Sequence, residues 1–257
     1  MSTDTQDLLL ALCDISGYTR FMLAHGEALR HAFVVVTQLM EAMVREVRPP
    51  LEVAKLEGDA VFLYALQRDA PAARARLAAE MIQQLDNLFA AFNARRTELI
   101  EANICPCGGC RNADQLCLKI VVHSGAALFH RVGKFEELAG PDVILAHRLL
   151  KNSLPQSEYV LLTEAARREL GGEPFPREKE AEEVYDDFGT VRVFACEPPL
   201  GSDAAMPAVA PGTYASFSAR AKDTLIKIVQ SRLMQVGLKR RPAFRHLPPV
   251  AEASPSG

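Results

Sequence analysis

The stretch LLLALCDISGYTRF, residues 8–21, constrains the fold more than any other part of the chain. Leu8 to Cys13 is an unbroken apolar run, short for a helix, and it stops at a carboxylate followed by the turn-forming Ser16 and Gly17. A run of this kind, with no polar residue alternating through it, reads as a strand buried on both faces, which belongs in the interior of a sheet. Asp14 then stands at the mouth of that strand.

The remaining pattern supplies the layers around it. Glu27 to Val47 carries apolar residues at helical spacing and stops at Pro49-Pro50, where a helix has to end. Leu51 to Lys55 and Ala60 to Ala65 read as a hairpin turning at Gly58-Asp59. Ala70 to Glu101 sets Leu77, Met81, Leu85, Leu88 and Phe92 on one face of a long helix. After a break from Asn103 to Gln115, residues 116–123 and 125–132 read as two strands joined at Ser124-Gly125. A helix over 140–152, a strand over 159–162, a short helix over 164–170 and a last strand over 191–195 complete the order. That order predicts an α+β fold of the split βαβ, ferredoxin-like type, with a mixed sheet and helices on one face.

Residues 1–198 are expected to form this one domain. Residues 199–213 have the proline- and glycine-containing composition of a linker. Residues 214–257 combine an amphipathic helix, with Leu225, Ile228, Val229, Leu233 and Val236 in a stripe, and a basic tail expected to be disordered. The stripe suits packing on the domain or across a dimer better than contact with a membrane surface, though both uses are open.

With 49% hydrophobic and 24% charged residues in 257, the chain has material for a substantial core. A formal net charge of -3 gives no field to recruit nucleic acid, so no such partner is expected. The first residues lack a basic signal-peptide region, and Leu8 to Cys13 is too short to span a membrane, so a cytoplasmic protein is expected.

The chemistry gathers at two aspartates. Asp14 ends the first strand and Asp59 sits in the hairpin turn; if the two elements are neighbours, both carboxylates leave the same edge of the sheet. Either alone would read as a helix cap or a turn residue. Two convergent carboxylates are a usual means of holding Mg²⁺ or Mn²⁺, which in turn bridge nucleotide phosphates. Ser16-Gly17-Tyr18-Thr19 places backbone N–H groups at a helix start, where phosphate is well accommodated.

These segments resemble a known family. CDISGYTRF is similar to the first metal-binding motif of the class III nucleotidyl cyclases, and KLEGDAVFLYA to the hairpin that carries their second metal aspartate. LKIVVHSGAALFHRVG resembles the strand pair after the family's second long helix, GPDVILAHRLL the helix bearing its transition-state residues, and FGTVRVFACEP its closing strand. The matches run in family order over about residues 8–198.

The resemblance implies a homodimeric enzyme converting a nucleoside triphosphate to a 3′,5′-cyclic nucleotide and pyrophosphate with two Mg²⁺ or Mn²⁺ ions, its sites lying at the dimer interface. It implies that Asp14 and Asp59 are metal ligands, with the Ile15 carbonyl adding a donor and Gly17, Tyr18 and Thr19 meeting the phosphates. Lys55 matches the lysine that contacts the base in adenylate-type members, Glu137 the position of the acid that works with it, and Arg148 the arginine that stabilises the transferring phosphoryl group. Three positions depart from the pattern. Ile144 stands where the family usually has asparagine, Glu137 replaces a shorter aspartate, and Asp186 stands where some members have a phosphate-directed lysine. These departures leave open a slow cyclase, a cyclase for another base, or a domain that binds nucleotide without turnover. His147, beside Arg148, reads as a structural histidine first and a site residue second.

Cys105, Cys107, Cys110 and Cys117 form C-x-C-x₂-C-x₆-C across an insert at 103–117. Four thiolates with intervening glycines suit a tetrahedral Zn²⁺ site, with an iron–sulfur cluster as the next option and a redox-sensitive or inert loop as the third. Cys117 falls at the head of a strand and has a core role open to it. Cys13 and Cys196 fall in strand patterns and are expected to be buried filler.

Overall fold

The computed structural model describes residues 5–24, 29–101, 112–172, 174–175 and 177–198, and the single positions 225, 229 and 233. Its first strand, β1 (Thr5–Ser16), has Leu8 to Cys13 buried on both sides, as an interior strand requires. A short helix, α1 (Tyr18–Ala24), follows the turn at Gly17, and α2 (Leu29–Glu46) is the helix expected over 27–47, ending before Pro49-Pro50. The hairpin is β2 (Glu52–Glu57) and β3 (Ala60–Leu66), and α3 (Pro71–Glu101) buries the five residues assigned to its apolar face.

After a 3₁₀ turn at Ala113–Gln115 comes β4 (Cys117–Val132), a single strand where two were expected. It pairs antiparallel with β1 from Ser16↔Cys117 to Thr5↔Leu128, straight through Ser124-Gly125. Gly125 is there for close approach: a Cβ on it would lie 2.3 Å from the carboxyl carbon of Asp142. The turn falls later, at Gly133, and leads into β5 (Phe135–Ala139), which the sequence reading did not separate.

The chain continues through α4 (Pro141–Leu149), β6 (Tyr159–Thr163), α5 (Glu164–Glu169), β7 (Lys179–Tyr185) and β8 (Gly189–Cys196). The expected mixed α+β sheet is present, in the order β2-β3-β1-β4-β6-β8-β7 with β5 added on β4. All pairings are antiparallel except β4 with β6.

One face buries Leu9, Ala11, Cys13 and Ile15 of β1 against α1, α2, α3 and α5. The other carries Leu8, Leu10 and Leu12, and the helix packed on it is α4, through Val143, Ala146 and Leu149.

The edge of β4 away from β1 is shared by two strands: β6 takes Lys119 to Val122 and β5 takes Leu128 to Val132. Between them, Asp142 at the start of α4 accepts a hydrogen bond from the Ala126 N–H at 2.8 Å and lies 3.0 Å from His123 Nε2. His123 Nδ1 is 2.9 Å from Thr163 Oγ, which also accepts from the Ala166 N–H and so caps α5. Asp142 thus supplies a partner in the interval between the two strands, and fixes where α4 begins.

At 225, 229 and 233 the chain is helical, and Leu225, Val229 and Leu233 are exposed. Among the described residues, no helix is long and apolar enough to cross a membrane.

Candidate functional site

Strand register brings the two sequence-selected aspartates together. Glu57 of β2, Ala60 of β3, Asp14 of β1, Lys119 of β4 and Tyr159 of β6 stand side by side across the sheet, all on the second face. Asp59 is in the turn immediately before Ala60, and its carbonyl accepts from the Ile15 N–H at 3.3 Å. That bond ties the hairpin turn to the residue after Asp14.

The proximity has an electrostatic signature. Burial, then the charge of Asp14, pushes the Asp59 carboxyl up to about 6, while Lys119 works in the other direction. Lys119 was not singled out from the sequence. Its Nζ lies 3.0 Å from Asp14 Oδ2 and donates to the Leu150 carbonyl at 2.8 Å. Two carboxylates and one ammonium leave this cluster one negative charge in excess.

Ile15 is buried between the sheet and the first helical layer. Gly17 adopts φ +84°, and a Cβ there would lie 2.8 Å from the Gln115 carbonyl oxygen. Tyr18 begins α1 and packs partly on the core, with Thr19 next in the helix, so the segment after Asp14 is a tight turn into a helix. Close approach of the 3₁₀ turn accounts for the glycine without any ligand.

A second cluster, built on Glu57 of that row and on Lys55 two residues away along β2, forms beside it on the same face. Lys55 Nζ lies 2.8 Å from Glu57 Oε1 and 3.0 Å from Glu137 Oε2, so Lys55 and Glu137 meet within one chain across a sequence distance of 82 residues. His147 Nε2 is 2.8 Å from Glu57 Oε2, and its Nδ1 is 2.7 Å from the Val143 carbonyl of its own helix. The His147 ring meets Phe62 edge-on at 5.1 Å. Burial would raise the Glu57 carboxyl, but hydrogen bonds from Lys55 and His147 hold it below the usual range. The hydrogen bond to Glu57 is the main cause that raises the Lys55 pKa, so the ammonium is secure at neutral pH.

Arg148 is exposed and pairs loosely with exposed Asp187 at 3.7 Å. Tyr185 donates its hydroxyl to the Arg148 carbonyl at 3.3 Å, linking β7 to α4. Ile144, at the position where the resembled family usually has asparagine, is 53% exposed. Asp186 is also exposed.

Cys105, Cys107 and Cys110 lie outside the described residues. Cys117 begins β4, its Sγ accepting from Arg96 at 3.7 Å and from the Ser157 hydroxyl at 3.6 Å. Cys13 and Cys196 are buried as expected, and burial raises both thiols far above the usual range. No group of three or more histidine, cysteine, aspartate or glutamate side chains among the described residues is poised to hold a metal ion.

The fold is that of the class III cyclases. The chain superposes on the guanylyl cyclase Cya2 with a TM-score of 0.61 at 12% identity, covering 81% of this chain and all of that one. The adenylyl cyclase CyaB from P. aeruginosa superposes with a TM-score of 0.55 at 15% identity, covering 76% of this chain and 95% of that one. A third structure, described as a class III adenylyl cyclase-like ATP-binding protein from Pseudomonas aeruginosa, gives 0.52 at 18% identity over 64% of this chain and 35% of that one.

In sequence, residues 36–159 match a family described as protein of unknown function (DUF2652). That span takes in Lys55, Asp59, Lys119, Glu137 and Arg148, and begins after Asp14. The uncharacterized protein Rv2561/Rv2562 of Mycobacterium tuberculosis is 35% identical over 129 residues, 50% of this chain. The aligned region spans 57% of the length of that relative.

Proposed function

We propose that the chain is a nucleotidyl cyclase, converting a nucleoside triphosphate to a 3′,5′-cyclic nucleotide and pyrophosphate at a homodimer interface. The observation that carries this reading is the convergence of Asp14 and Asp59, close enough for the charge of one to raise the pKa of the other.

The donor set fits a hard divalent cation. Oxygen ligands suit Mg²⁺ or Mn²⁺, and Mg²⁺ is commonly held by one or two carboxylates with substrate phosphates completing its shell. The excess negative charge of the Asp14, Asp59 and Lys119 cluster would be relieved by such an ion, with Asp14, Asp59 and the Ile15 carbonyl as its ligands. Bound there, it would acidify the ribose 3′-hydroxyl and neutralise the departing pyrophosphate.

The chain's own residues supply the rest. Lys55 and Glu137 offer a donor and an acceptor side by side, a pairing able to read the edge of a base. Residues 16–19 turn their backbone toward the phosphates, and exposed Arg148 is available to meet charge on the transferring phosphoryl group of a nucleotide held by the partner subunit. Two equivalent sites follow from a two-fold dimer.

A second reading, nucleotide binding without turnover, is favoured by Ile144. An exposed isoleucine cannot donate a hydrogen bond to ribose or phosphate, and Asp186 brings negative charge where phosphate would be met by a cation. One solved structure with this fold is described as an ATP-binding protein.

The deciding experiment supplies ATP, GTP, CTP and UTP in turn with Mn²⁺ or Mg²⁺ and reads cyclic products by mass spectrometry, with Asp59→Ala alongside. A cyclic product that disappears in the variant supports the cyclase. Metal-dependent binding without product selects the second reading, and binding indifferent to Asp59 removes both. For the cysteine segment, zinc is the proposed ligand and an iron–sulfur cluster the alternative; metal-free protein after anaerobic purification would exclude both.

A further inference from the structure

Lys119 stands in the place of a cation. It lies directly opposite Asp14 in the β1–β4 ladder, so strand register holds it on the same face. Its Nζ reaches Asp14 Oδ2 at 3.0 Å and the Leu150 carbonyl at 2.8 Å, and both the lysine and the aspartate side chains are only 17% exposed. An ammonium carries three donors and no acceptor, and two of the three are matched here. Leu150 caps the C-terminal end of α4, where backbone carbonyls favour a positive charge. One side chain therefore joins the aspartate pair to the end of the helix that carries His147 and Arg148.

A divalent ion on Asp14 would have to share the carboxylate that this ammonium already holds at 3.0 Å. Two positive charges so close, in a largely buried place, repel strongly. We propose that Lys119 is the resident cation of the site, and that a divalent ion binds Asp14 and Asp59 only as Lys119 withdraws. This rests on reading the aspartates as a divalent-cation site. Withdrawal also releases the Leu150 carbonyl, so loading of the site is transmitted to the last turn of α4. Lys119 is a positioning residue: it keeps the two carboxylates from facing each other without a cation, and it makes occupancy of the site felt at the helix bearing Arg148. An incoming triphosphate offers the displaced ammonium a new anionic partner.

The test titrates the full chain with Mn²⁺ and reads free ion by electron paramagnetic resonance, comparing the wild type with K119M, K119R and D59N. K119M is expected to bind Mn²⁺ about tenfold more tightly, K119R about as the wild type does, and D59N to lose binding. Equal affinity in wild type and K119M, with D59N still abolishing binding, overturns the role of Lys119 and leaves the cation site standing. Binding indifferent to D59N, or absent from both the wild type and K119M, overturns both. Amide exchange in the last turn of α4 should rise when Mn²⁺ is added to the wild type and already be raised in K119M; no change in either breaks the link to the helix. If K119M does not fold, K119Q removes the same charge while keeping a donor for Leu150, and tighter Mn²⁺ binding is again expected.

Discussion

Asp14, Asp59 and Lys119 form one polar cluster on the second face of the sheet; Lys55, Glu57, Glu137 and His147 form another beside it. Both contain two carboxylates and a lysine, yet they are balanced differently. In the first, one lysine reaches a single aspartate and Asp59 is left to feel its neighbour's charge, which helps carry its pKa to about 6. In the second, Lys55 touches both glutamates and His147 adds a further partner for Glu57, whose pKa falls below the usual range. The first arrangement calls for another cation. The second is satisfied within the chain.

Breaking the first cluster should have the largest effect. Asp14→Ala or Asp59→Ala is expected to reduce metal-dependent nucleotide binding or turnover by about a hundredfold or more, measured by titration and product assay. An unchanged rate in either variant would falsify the two-aspartate mechanism. Breaking the second should cost less: Lys55→Ala or Glu137→Ala is expected to weaken nucleotide affinity by about tenfold and blur discrimination between bases, with affinity for Mn²⁺ alone untouched. If the same variants weaken Mn²⁺ binding, the two clusters are not separable.

Ile144→Asn supplies the missing hydrogen-bond donor at an exposed position and should raise turnover several-fold, by about the contribution of one hydrogen bond. A loss of activity would show that the isoleucine serves another surface.

The smallest effect is on stability. Between the ordinary aspartate pKa of about 4 and the raised value of about 6, the folded protein keeps a proton on Asp59 that the unfolded chain has released. Stability contributed by this group therefore falls as pH rises through that window, and the cost is complete above it. Asp59→Asn should flatten this part of the melting profile. Added Mn²⁺ should stabilise the wild type more at pH 7.5 than at pH 5.

Particular residues show what the sequence could and could not disclose. The first strand, the hairpin and the long helix were legible because their apolar periodicity is strong. The convergence of Asp14 with Asp59 followed from placing both at strand ends. Two strands were missed for one reason: FEELA of β5 and KEAEEVY of β7 are charged peripheral strands, and strands with so many exposed positions carry no apolar run to find. A glycine inside a strand pattern, such as Gly125, signals either a break or a close approach, and only the position of Asp142 distinguishes them. Lys119 escaped notice because its meaning comes from cross-strand register, which no local pattern encodes. A cation directly opposite a site carboxylate was the signal, available only once β1 and β4 had been aligned.

The crowding at Gly17 has a consequence for how this lineage can change. With the Gln115 carbonyl occupying the space of a side chain and the backbone in a left-handed conformation, position 17 is closed to substitution on steric grounds alone. A descendant that kept the fold and nothing else would still need glycine there. Its persistence among relatives would therefore record only that the fold survived, whereas half-buried Asp59, whose carboxyl is held in a costly place, would be free to drift as soon as selection for that carboxylate ceased.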